Sequence, residues 1–221
     1  MINYKVQPRG DYYHELRLPM LSLIQGTPKR VLEVGCASGQ TLAYLKERGA
    51  EYTVGVEYSA EVASEAKSRS LDRIIVGDVE KLDLDFDLGT FDLLIVSHVL
   101  EHLVDPWTVL RKLKRLLRVG GQLVGALPNV RHYSVVFPLL FQGRWEYAPS
   151  GVMDWTHLRF FSRASALDLL QQAGFQVNQV IPELGGRKSR TANIVSCNLF
   201  RHFLSYAYNF SAMKTTPDSE E

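Results

Sequence analysis

Short apolar runs recur along the first 130 residues, and helical patterns lie between most of them. The predicted strands read "RVLEVG", "EYTVGVEYS", "DRIIVGD", "FDLLIVSHV" and "QLVGALPN". Strands that are apolar on both faces are typical of a parallel sheet covered by helices on both sides. We therefore predict an α/β fold, a Rossmann-like and mostly parallel sheet of seven strands in a three-layer αβα sandwich, with the last strand antiparallel.

The segments between these runs predict the helices. A leading helix is expected over residues 11–25, followed by "GQTLAYLKERGA", "AEVASEAKSR" and "DPWTVLRKLKRLLRVGG". In the last of these, Asp105 is the expected N-cap and Pro106 the first helical residue. Its leucines, at 110, 113, 116 and 117, form one stripe. The basic residues between them are therefore expected to be its solvated face, not a nucleic-acid patch.

The alternation stops after Asn129. Residues 130–161 are aromatic-rich and are expected to be irregular; a helix and a strand follow over residues 162–184. An amphipathic helix is expected over 191–204 and the last strand over 206–215. We predict one domain, with a helical cap (1–30), a cofactor-binding core (31–128), a substrate-side insertion (129–161), C-terminal helices and strands (162–215) and a disordered tail (216–221). The apolar "YSVVFPLLF" favours a buried lid over membrane contact.

Composition limits the class of protein. The 221 residues suit one large domain, and a net charge of +1 gives no support to nucleic-acid binding. Cys36 and Cys197 have no CxxC partner, which favours a reducing compartment. The first residues show no apolar signal-peptide core, and no window of about 18 apolar residues suggests a membrane span. We expect a cytoplasmic protein without a membrane span; a homodimer stays open.

The stretch "VLEVGCASGQ" places Gly35 and Gly39 just after the first strand. In open parallel sheets ligands bind there, and glycine allows the backbone to approach them closely. The spacing lacks the second glycine of GxGxxG, which weakens a pyrophosphate interpretation. Glu33 would repel a pyrophosphate but could organise the loop or attract an ammonium group. A tight structural turn is the alternative.

Two further acids end strands. Glu57 follows the glycine loop by about twenty residues, the spacing at which an acid binds a ribose diol. Asp78 ends the third strand, where its carboxylate could accept from an adenine amine while Val79 offers a backbone N–H. The alternatives are a solvated loop acid for Glu57 and a turn cap for Asp78.

Taken together, "VLEVGCASG", "VGVEYS", "VGDVE", "FDLLIVSHVLEHL" and "LLRVGGQLVGALPN" resemble the ordered motifs of class I S-adenosylmethionine-dependent methyltransferases over roughly residues 12–128. The resemblance implies S-adenosyl-L-methionine as cofactor. It implies cofactor contacts at Arg17, Glu33, Gly35, Cys36, Gly39, Glu57, Tyr58, Asp78, Val79, Ser97, His98 and Val99. Of these, the residues at 33, 35 and 39 would frame the methionine half and those at 97–99 would line the methyl-bearing sulfur. Ala37 stands where the family commonly has a glycine.

The N-terminal "ELRLPML" is similar to the leading helix of ubiquinone-biosynthesis-type methyltransferases. That resemblance implies that Arg17 reaches the cofactor carboxylate, which a guanidinium can pair bidentately. A surface arginine is the alternative. Tyr12 and Tyr13 are expected either to cover the site or to join the core.

The acceptor side is expected in "GVMDWTHLRFFS", where polar groups lie between aromatic ones. A similar string occurs in methyltransferases linked to sugar and polysaccharide modification. His157 is the candidate general base and Asp154 the residue that orients it. The alternative is a structural hydrogen-bond knot of Asp154, His157 and Arg159. The acceptor pocket is expected to be shaped by Arg131, His132, Tyr133, Arg144, Trp145 and Tyr147.

His98 and His102 lie four residues apart, a spacing that also suits metal ligands, but HExxH is absent and no metal is expected. The leading hypothesis is an S-adenosylmethionine-dependent O-methyltransferase acting on a small molecule or a sugar or polysaccharide precursor. The alternatives are a Rossmann-type NAD-dependent oxidoreductase and a non-catalytic nucleotide-binding module.

Overall fold

One seven-stranded sheet organises the protein, whose computed structural model describes residues 16–217. The strands are β1 (Arg30–Val34), β2 (Tyr52–Glu57), β3 (Arg73–Val76), β4 (Phe91–Ser97), β5 (Leu117–Pro128), β6 (Gln176–Leu184) and β7 (Ser205–Met213). Their order across the sheet is β3-β2-β1-β4-β5-β7-β6. The pairs among β1–β5 are parallel, and β7 is antiparallel to both β5 and β6. The predicted fold class is confirmed.

The helices lie between these strands. They are α1 (Leu18–Leu21), α2 (Gln40–Lys46), α3 (Ala60–Lys67), α4 (Pro106–Leu116), α5 (Tyr133–Gln142), α6 (Arg163–Gln172), α7 (Gly186–Val195) and α8 (Arg201–Leu204), with a 3-10 turn at Leu100–His102. Helix α4 begins as its sequence predicts, because the Asp105 side chain accepts from the N–H of Thr108 and Pro106 follows it. Its three leucines are buried, as is Leu117 at the start of β5. Arg111 and Arg115 are exposed and Lys112 and Lys114 half-buried, so the basic residues lie on the more solvated face.

The two faces of the sheet are packed separately. Leu32, Val34 and Leu94 belong to one apolar cluster. Val31 and Leu93, their neighbours along the same strands, belong to a second. Alternate residues of a strand point to opposite faces, so β1 and β4 are covered on both sides. This explains why their sequences are almost continuously apolar.

Three predicted boundaries are wrong. The helix expected over 105–121 ends at Leu116, because Leu117 already pairs with Phe91 and begins β5. The helix expected over 191–204 is divided into α7 and α8, because Cys197 and Asn198 adopt left-handed backbone conformations. Of the leading helix expected over 11–25, residues 18–21 are helical among the described ones, and residues 11–15, including Tyr12 and Tyr13, lie outside them.

The insertion after β5 is more ordered than predicted. It contains α5, and the buried Asn129 ties its start to the C-terminal segment by donating to the carbonyls of His202 and Ser205, at 2.8 Å each. The expectation of a buried lid is also wrong. Val135 is buried in α5, but Phe137 and Phe141 are exposed, because this face of the helix has no described element packed over it.

Within residues 16–217, every helix is too short or too polar to span a bilayer. The expected tail falls partly on residues 218–221, which lie outside the described range.

Candidate functional site

The site is built first on the carboxyl ends of β1 and β2. The backbone N–H groups of Gly35 and Cys36 both donate to the carbonyl of Val56, at 2.8 and 3.1 Å. The Glu57 carboxylate spans the two loops that follow, because Oε2 accepts from the N–H of Ala37 and Oε1 from that of Ser59, at 2.9 Å each. Each oxygen retains a further lone pair. Glu57 is therefore fixed at the strand end and can still accept hydrogen bonds from a diol.

The glycine loop lies against the end of β4. Gly35 has φ +71°, and a Cβ there would lie 2.5 Å from Cγ2 of Val99. Gly39 has φ +76°, and a Cβ there would lie 2.7 Å from Cδ1 of Leu71. Both positions thus need glycine on two counts, the left-handed backbone and the close approach of a neighbour. The loop forms a narrow cradle beside Val99.

Ala37, between these glycines, has φ +48°. A left-handed alanine costs about 1 kcal/mol relative to glycine. We expect Ala37→Gly to raise the free energy of unfolding by up to about 1 kcal/mol, reduced by the greater freedom of glycine in the unfolded chain. Urea denaturation of both proteins checks this. A destabilised variant would show that the left-handed backbone is not a source of strain here.

Glu33 is a buried acid beside this loop. It is 4% exposed, and its Oε2 has no hydrogen-bond partner among the described residues. Burial raises the pKa of Glu33 to about 8, the charge of Glu57 adds to the rise, and a hydrogen bond with Thr41 opposes it. The side chain is thus protonated at neutral pH. An unpartnered oxygen at this position is suited to an incoming cationic group.

Asp78 and Val79 follow β3 at the same edge of the sheet, where the N–H of Gly77 donates to the carbonyl of Glu57 at 2.9 Å. The Asp78 carboxylate accepts from the N–H of Glu80 at 3.0 Å and pairs with Lys81 at 2.8 Å. That hydrogen bond from Lys81 is the main reason why the pKa of Asp78 is lowered. The Val79 side chain packs in the core, so a ligand would meet its backbone.

Tyr58 and Cys36, two other predicted cofactor contacts, differ in their placement. The Tyr58 side chain is exposed beside Glu57. The Cys36 side chain is buried in the core, its Sγ 2.5 Å from where a Cβ on Gly55 would lie. Burial raises the pKa of this thiol. Cys36 therefore presents its main chain to the loop, and not a reactive sulfur.

The end of β4 carries a backbone in a rare conformation. His98 has φ +53°, and its N–H donates to the carbonyl of Ala126 at 3.0 Å. This conformation turns the ring toward Glu101, and Nδ1 lies 3.2 Å from Glu101 Oε1. Ser97, just before it, has a buried Oγ without a partner among the described residues. Unsatisfied polar groups and non-glycine left-handed residues are typical of functional sites.

Glu101 is a residue whose importance the sequence does not predict. Its side chain is 1% exposed, and Oε2 has no hydrogen-bond partner in the described part of the chain. Burial opposes its ionisation, but the hydrogen bond from His98 and the nearby His102 hold the pKa of Glu101 below its usual value. Its carbonyl accepts from the N–H groups of Leu158 and Arg159, at 2.8 and 2.9 Å. The 3-10 turn thus binds the insertion. A sequence signal exists, an acid within apolar residues directly after a strand, but it does not name the partners.

His157 lies in the insertion next to this carboxylate. Its Nδ1–H donates to the carbonyl of Val152 at 2.9 Å, and His102 Nδ1 is paired in the same way with the carbonyl of Thr156 at 3.1 Å. Because a carbonyl only accepts hydrogen bonds, Nδ1 must carry the proton in both rings. The lone pair of the neutral His157 ring is therefore on Nε2. Burial lowers the pKa of His157, and Glu101 is the largest influence in the opposite direction. His157 is therefore neutral at pH 7 and basic at Nε2.

Glu101, His102 and His157 also form a compact donor set. Their nearest oxygen and nitrogen atoms all lie within 4.8 Å of one another, a separation at which a cation could be shared. His98 and His102, the pair noted for its spacing, bind different groups. His98 Nδ1 pairs with the Glu101 carboxylate and His102 Nδ1 with the carbonyl of Thr156.

Asp154 does not orient the His157 ring as expected. Its carboxylate accepts from the N–H and Oγ1 of Thr156, at 2.8 and 2.6 Å, while its carbonyl accepts from the N–H of His157 at 3.0 Å. The side chain thus shapes the turn, and the ring is oriented by Val152. Arg159 donates to the carbonyl of Val104. The side chains of Asp154, His157 and Arg159 thus bind Thr156, Val152 and Val104, and do not form the expected knot with one another.

The six residues expected around an acceptor do not come together in one place. Trp145 and Tyr147 surround Phe160, with ring centroids 5.2 and 6.1 Å away, and Phe160 lies 6.4 Å from His157. Tyr133 instead packs near Phe203 of α8. His132 caps α5, and Arg131 is exposed. Arg144 Nη1 lies 3.6 Å from Glu146 Oε1. Of the six, Trp145 and Tyr147 are thus the two that are connected to the predicted base, through Phe160.

Arg17 is half-buried at the start of α1. Burial raises the pKa of Tyr206, and the charge of Arg17 opposes that rise. Arg17 therefore lies on the side of the molecule where β7 begins.

The fold and this edge define a class: an open α/β domain with a glycine cradle, a strand-end carboxylate and a buried acid for a small cofactor. The methyltransferase-domain family profile matches residues 9–180. The chain belongs to this family.

Curated relatives match this chain at low identity. The ubiquinone biosynthesis O-methyltransferase of Alkalilimnicola ehrlichii is 28% identical over 63% of this chain and 57% of its own length. That of Hahella chejuensis is 26% identical over 76% of this chain and 75% of its own length. The chain spans less than two thirds of the first of these relatives.

Solved structures agree on the fold. An S-adenosylmethionine-dependent methyltransferase from Mesorhizobium loti superposes with a TM-score of 0.66 at 20% identity, covering 89% of this chain and 96% of that one. A possible histamine N-methyltransferase from Thermotoga maritima has a TM-score of 0.63 at 19% identity, covering 89% and 87%.

Proposed function

We propose that this protein is an S-adenosylmethionine-dependent O-methyltransferase that acts on a small molecule or a sugar or polysaccharide precursor. The observation that carries the proposal is the Glu57 carboxylate, fixed by Ala37 and Ser59 at the end of β2 with lone pairs to spare. The family and the named activity of the O-methyltransferase relatives support it.

The residues present fit this cofactor. Glu57 would accept from its ribose hydroxyls, and the protonated Glu33, with its unpartnered Oε2, would meet its ammonium group. Gly35 lets the loop pass close to Val99, as a backbone that contacts the cofactor would need. Arg17 would meet a carboxylate. Asp78 and the backbone of Val79 would take the adenine, with Tyr58 beside the ribose. When bound, S-adenosylmethionine supplies a methyl group activated by a sulfonium.

The acceptor side needs a group that takes a proton from a hydroxyl. We assign this to His157, whose Nδ1–H is fixed by Val152 so that Nε2 carries the lone pair. Glu101 would stabilise the imidazolium that forms. Asp154 contributes through the turn that holds His157 in place, and Trp145 and Tyr147 would shape the apolar wall of the acceptor pocket.

The oxidoreductase and non-catalytic alternatives are less well supported. The loop holds Cys36, Ala37 and Ser38 between its two glycines, which departs from the dinucleotide pattern. A binding module alone would not need a neutral histidine fixed by its backbone partner. A cytoplasmic location is supported by Cys36 and Cys197, which are both free thiols.

Calorimetric titration with S-adenosylhomocysteine tests the proposal. Wild-type protein should bind it, and Glu57→Gln should bind about tenfold more weakly, since one charge-assisted hydrogen bond contributes about 1.5 kcal/mol or more. Glu51→Gln, an exposed acid paired with Lys29, is the matched control and should bind as the wild type does. Folded wild-type protein that ignores S-adenosylhomocysteine but binds NADH would overturn the proposal in favour of the oxidoreductase.

A further inference from the structure

The surface above α5, α7 and α8 is an exposed apolar region, here called the cap surface (residues 130–145 and 186–204). It contains a groove of about 380 Å³ lined by Tyr133, Phe137, Lys188, Ser189, Ala192, Phe200, Phe203 and Leu204. Phe137 and Phe203 meet edge to face at 5.1 Å, so α5 and α8 form one continuous surface. This surface includes the groove but no residue of the proposed cofactor site.

Apolar side chains continue beyond the groove into solvent. On α5, Leu140 is 69% and Phe141 72% exposed. Phe137, Leu140 and Phe141 are spaced as on one helix face, and the rings of Phe137 and Phe141 lie 5.7 Å apart. Ile194, Val195 and Leu199 extend the exposed set around the end of α7. Large exposed apolar patches of this kind mark interaction sites.

Charge on the cap surface has one sign. Residues 130–145 and 186–204 contain no aspartate or glutamate, and their basic residues are Arg131, Arg144, Arg187, Lys188, Arg190 and Arg201, all exposed. The whole chain has a net charge of +1, so the remainder is net acidic. The cap surface is therefore both basic and apolar, and the acidic residues of the chain lie outside it.

We propose that the cap surface docks on an anionic lipid bilayer. Apolar side chains at such a surface enter the boundary between headgroups and acyl chains, and flanking lysines and arginines contact the anionic headgroups. A two-fold partner copy would set these like charges near one another. Residues 1–15 carry equal numbers of acidic and basic residues, and so offer no complementary charge. Residues 218–221 are acidic but contain no apolar side chain that could fill the groove. This inference does not depend on the proposed methyl transfer.

Vesicle co-sedimentation of the full chain tests the inference. We expect binding to vesicles of phosphatidylcholine with phosphatidylglycerol and little binding to phosphatidylcholine alone. Raising the NaCl concentration from 0.05 to 0.5 M should weaken binding, because it screens the headgroup charge. The double variant Lys188→Ala/Arg190→Ala should bind about 25-fold more weakly, roughly fivefold for each basic residue near the surface.

The apolar contribution is tested by Leu140→Glu/Phe141→Glu. This double variant should reduce binding at least 100-fold, since it removes two apolar side chains that would be buried in the bilayer. Leu88→Glu is the matched control, because Leu88 is 64% exposed outside the cap surface; it should bind as the wild type does. All variants should retain the wild-type affinity for S-adenosylhomocysteine, which excludes misfolding.

Three results would overturn the inference. One is the absence of vesicle binding at low salt, and another is equal binding to both vesicle types. The third is a dimer, seen by sedimentation velocity without lipid, that Leu140→Glu/Phe141→Glu dissociates. That outcome would assign the cap surface to a second copy of the chain.

Discussion

His157→Asn is expected to lower kcat by a factor of about 10² to 10⁴, the usual contribution of a general base. The asparagine amide can still donate to Val152, so the turn is kept while the basic Nε2 is lost. Affinity for S-adenosylhomocysteine should stay within about twofold of wild type, because His157 is assigned to the acceptor side. The assay is tritium transfer from labelled S-adenosylmethionine, with an acceptor found by screening phenols and sugars. His202→Gln, on the cap surface, is the matched control.

The pH profile gives a second readout. Burial lowers the pKa of His157 from its usual value of 6.5, so the base should stay neutral, and kcat should stay unchanged, as the pH falls to 6.5. The acid limb of the profile should lie below that pH. Glu101 raises this pKa, so Glu101→Gln should move the acid limb to still lower pH. A kcat that is unchanged in His157→Asn would contradict the assignment of His157 as the general base. So would a chelator that abolishes the wild-type rate, which would show that Glu101, His102 and His157 hold a cation instead.

Affinity for S-adenosylhomocysteine is expected to rise about tenfold per pH unit between pH 6 and 7.5. In the free protein Glu33 is protonated below its pKa of about 8. The ligand's ammonium group favours the ionised carboxylate, so binding releases a proton. Calorimetry in two buffers of different ionisation enthalpy measures this proton directly. Glu33→Gln should bind weakly and without pH dependence.

The same residue should affect stability in the opposite direction. Because the pKa of Glu33 is raised from 4.5 to about 8 on folding, the native state binds more protons in this range and loses stability as pH rises through it. Glu33→Gln should therefore stabilise the free protein by up to about 3 kcal/mol at pH 7. Equal pH dependence of binding in both proteins would exclude Glu33 as the source of the released proton.

The cofactor half of the molecule could be predicted because its signals are local. Strands β1 and β4 are buried on both faces, so their sequences are apolar throughout, and the glycine loop and Glu57 follow strands directly. The motifs that resemble the family lie in this same part of the chain, roughly residues 12–128. The placement of each predicted residue at one edge then follows from parallel pairing.

The acceptor half could not be predicted to the same depth, because it depends on contacts between distant residues. Glu101 meets His157 only because the insertion returns to pair with the 3-10 turn, and nothing in "SHVLEHL" indicates that return. Proximity in sequence pairs Asp154 with His157, but in the folded chain the Asp154 carboxylate binds the N–H and hydroxyl of Thr156. The run "YSVVFPLLF" was ambiguous, since a buried helix and an interfacial helix are equally apolar.

The position of β7 affects the order in which the sheet can be completed. Strand β6 is synthesised before β7, but it pairs only with β7. Strand β7 lies between β5 and β6, so β6 cannot join the sheet until β7 is in place. On the ribosome, β5 must therefore wait with an open edge until Met213 has left the exit tunnel. Chains truncated before Ser205 should accumulate as aggregates, and chaperone demand during synthesis should be concentrated in this interval.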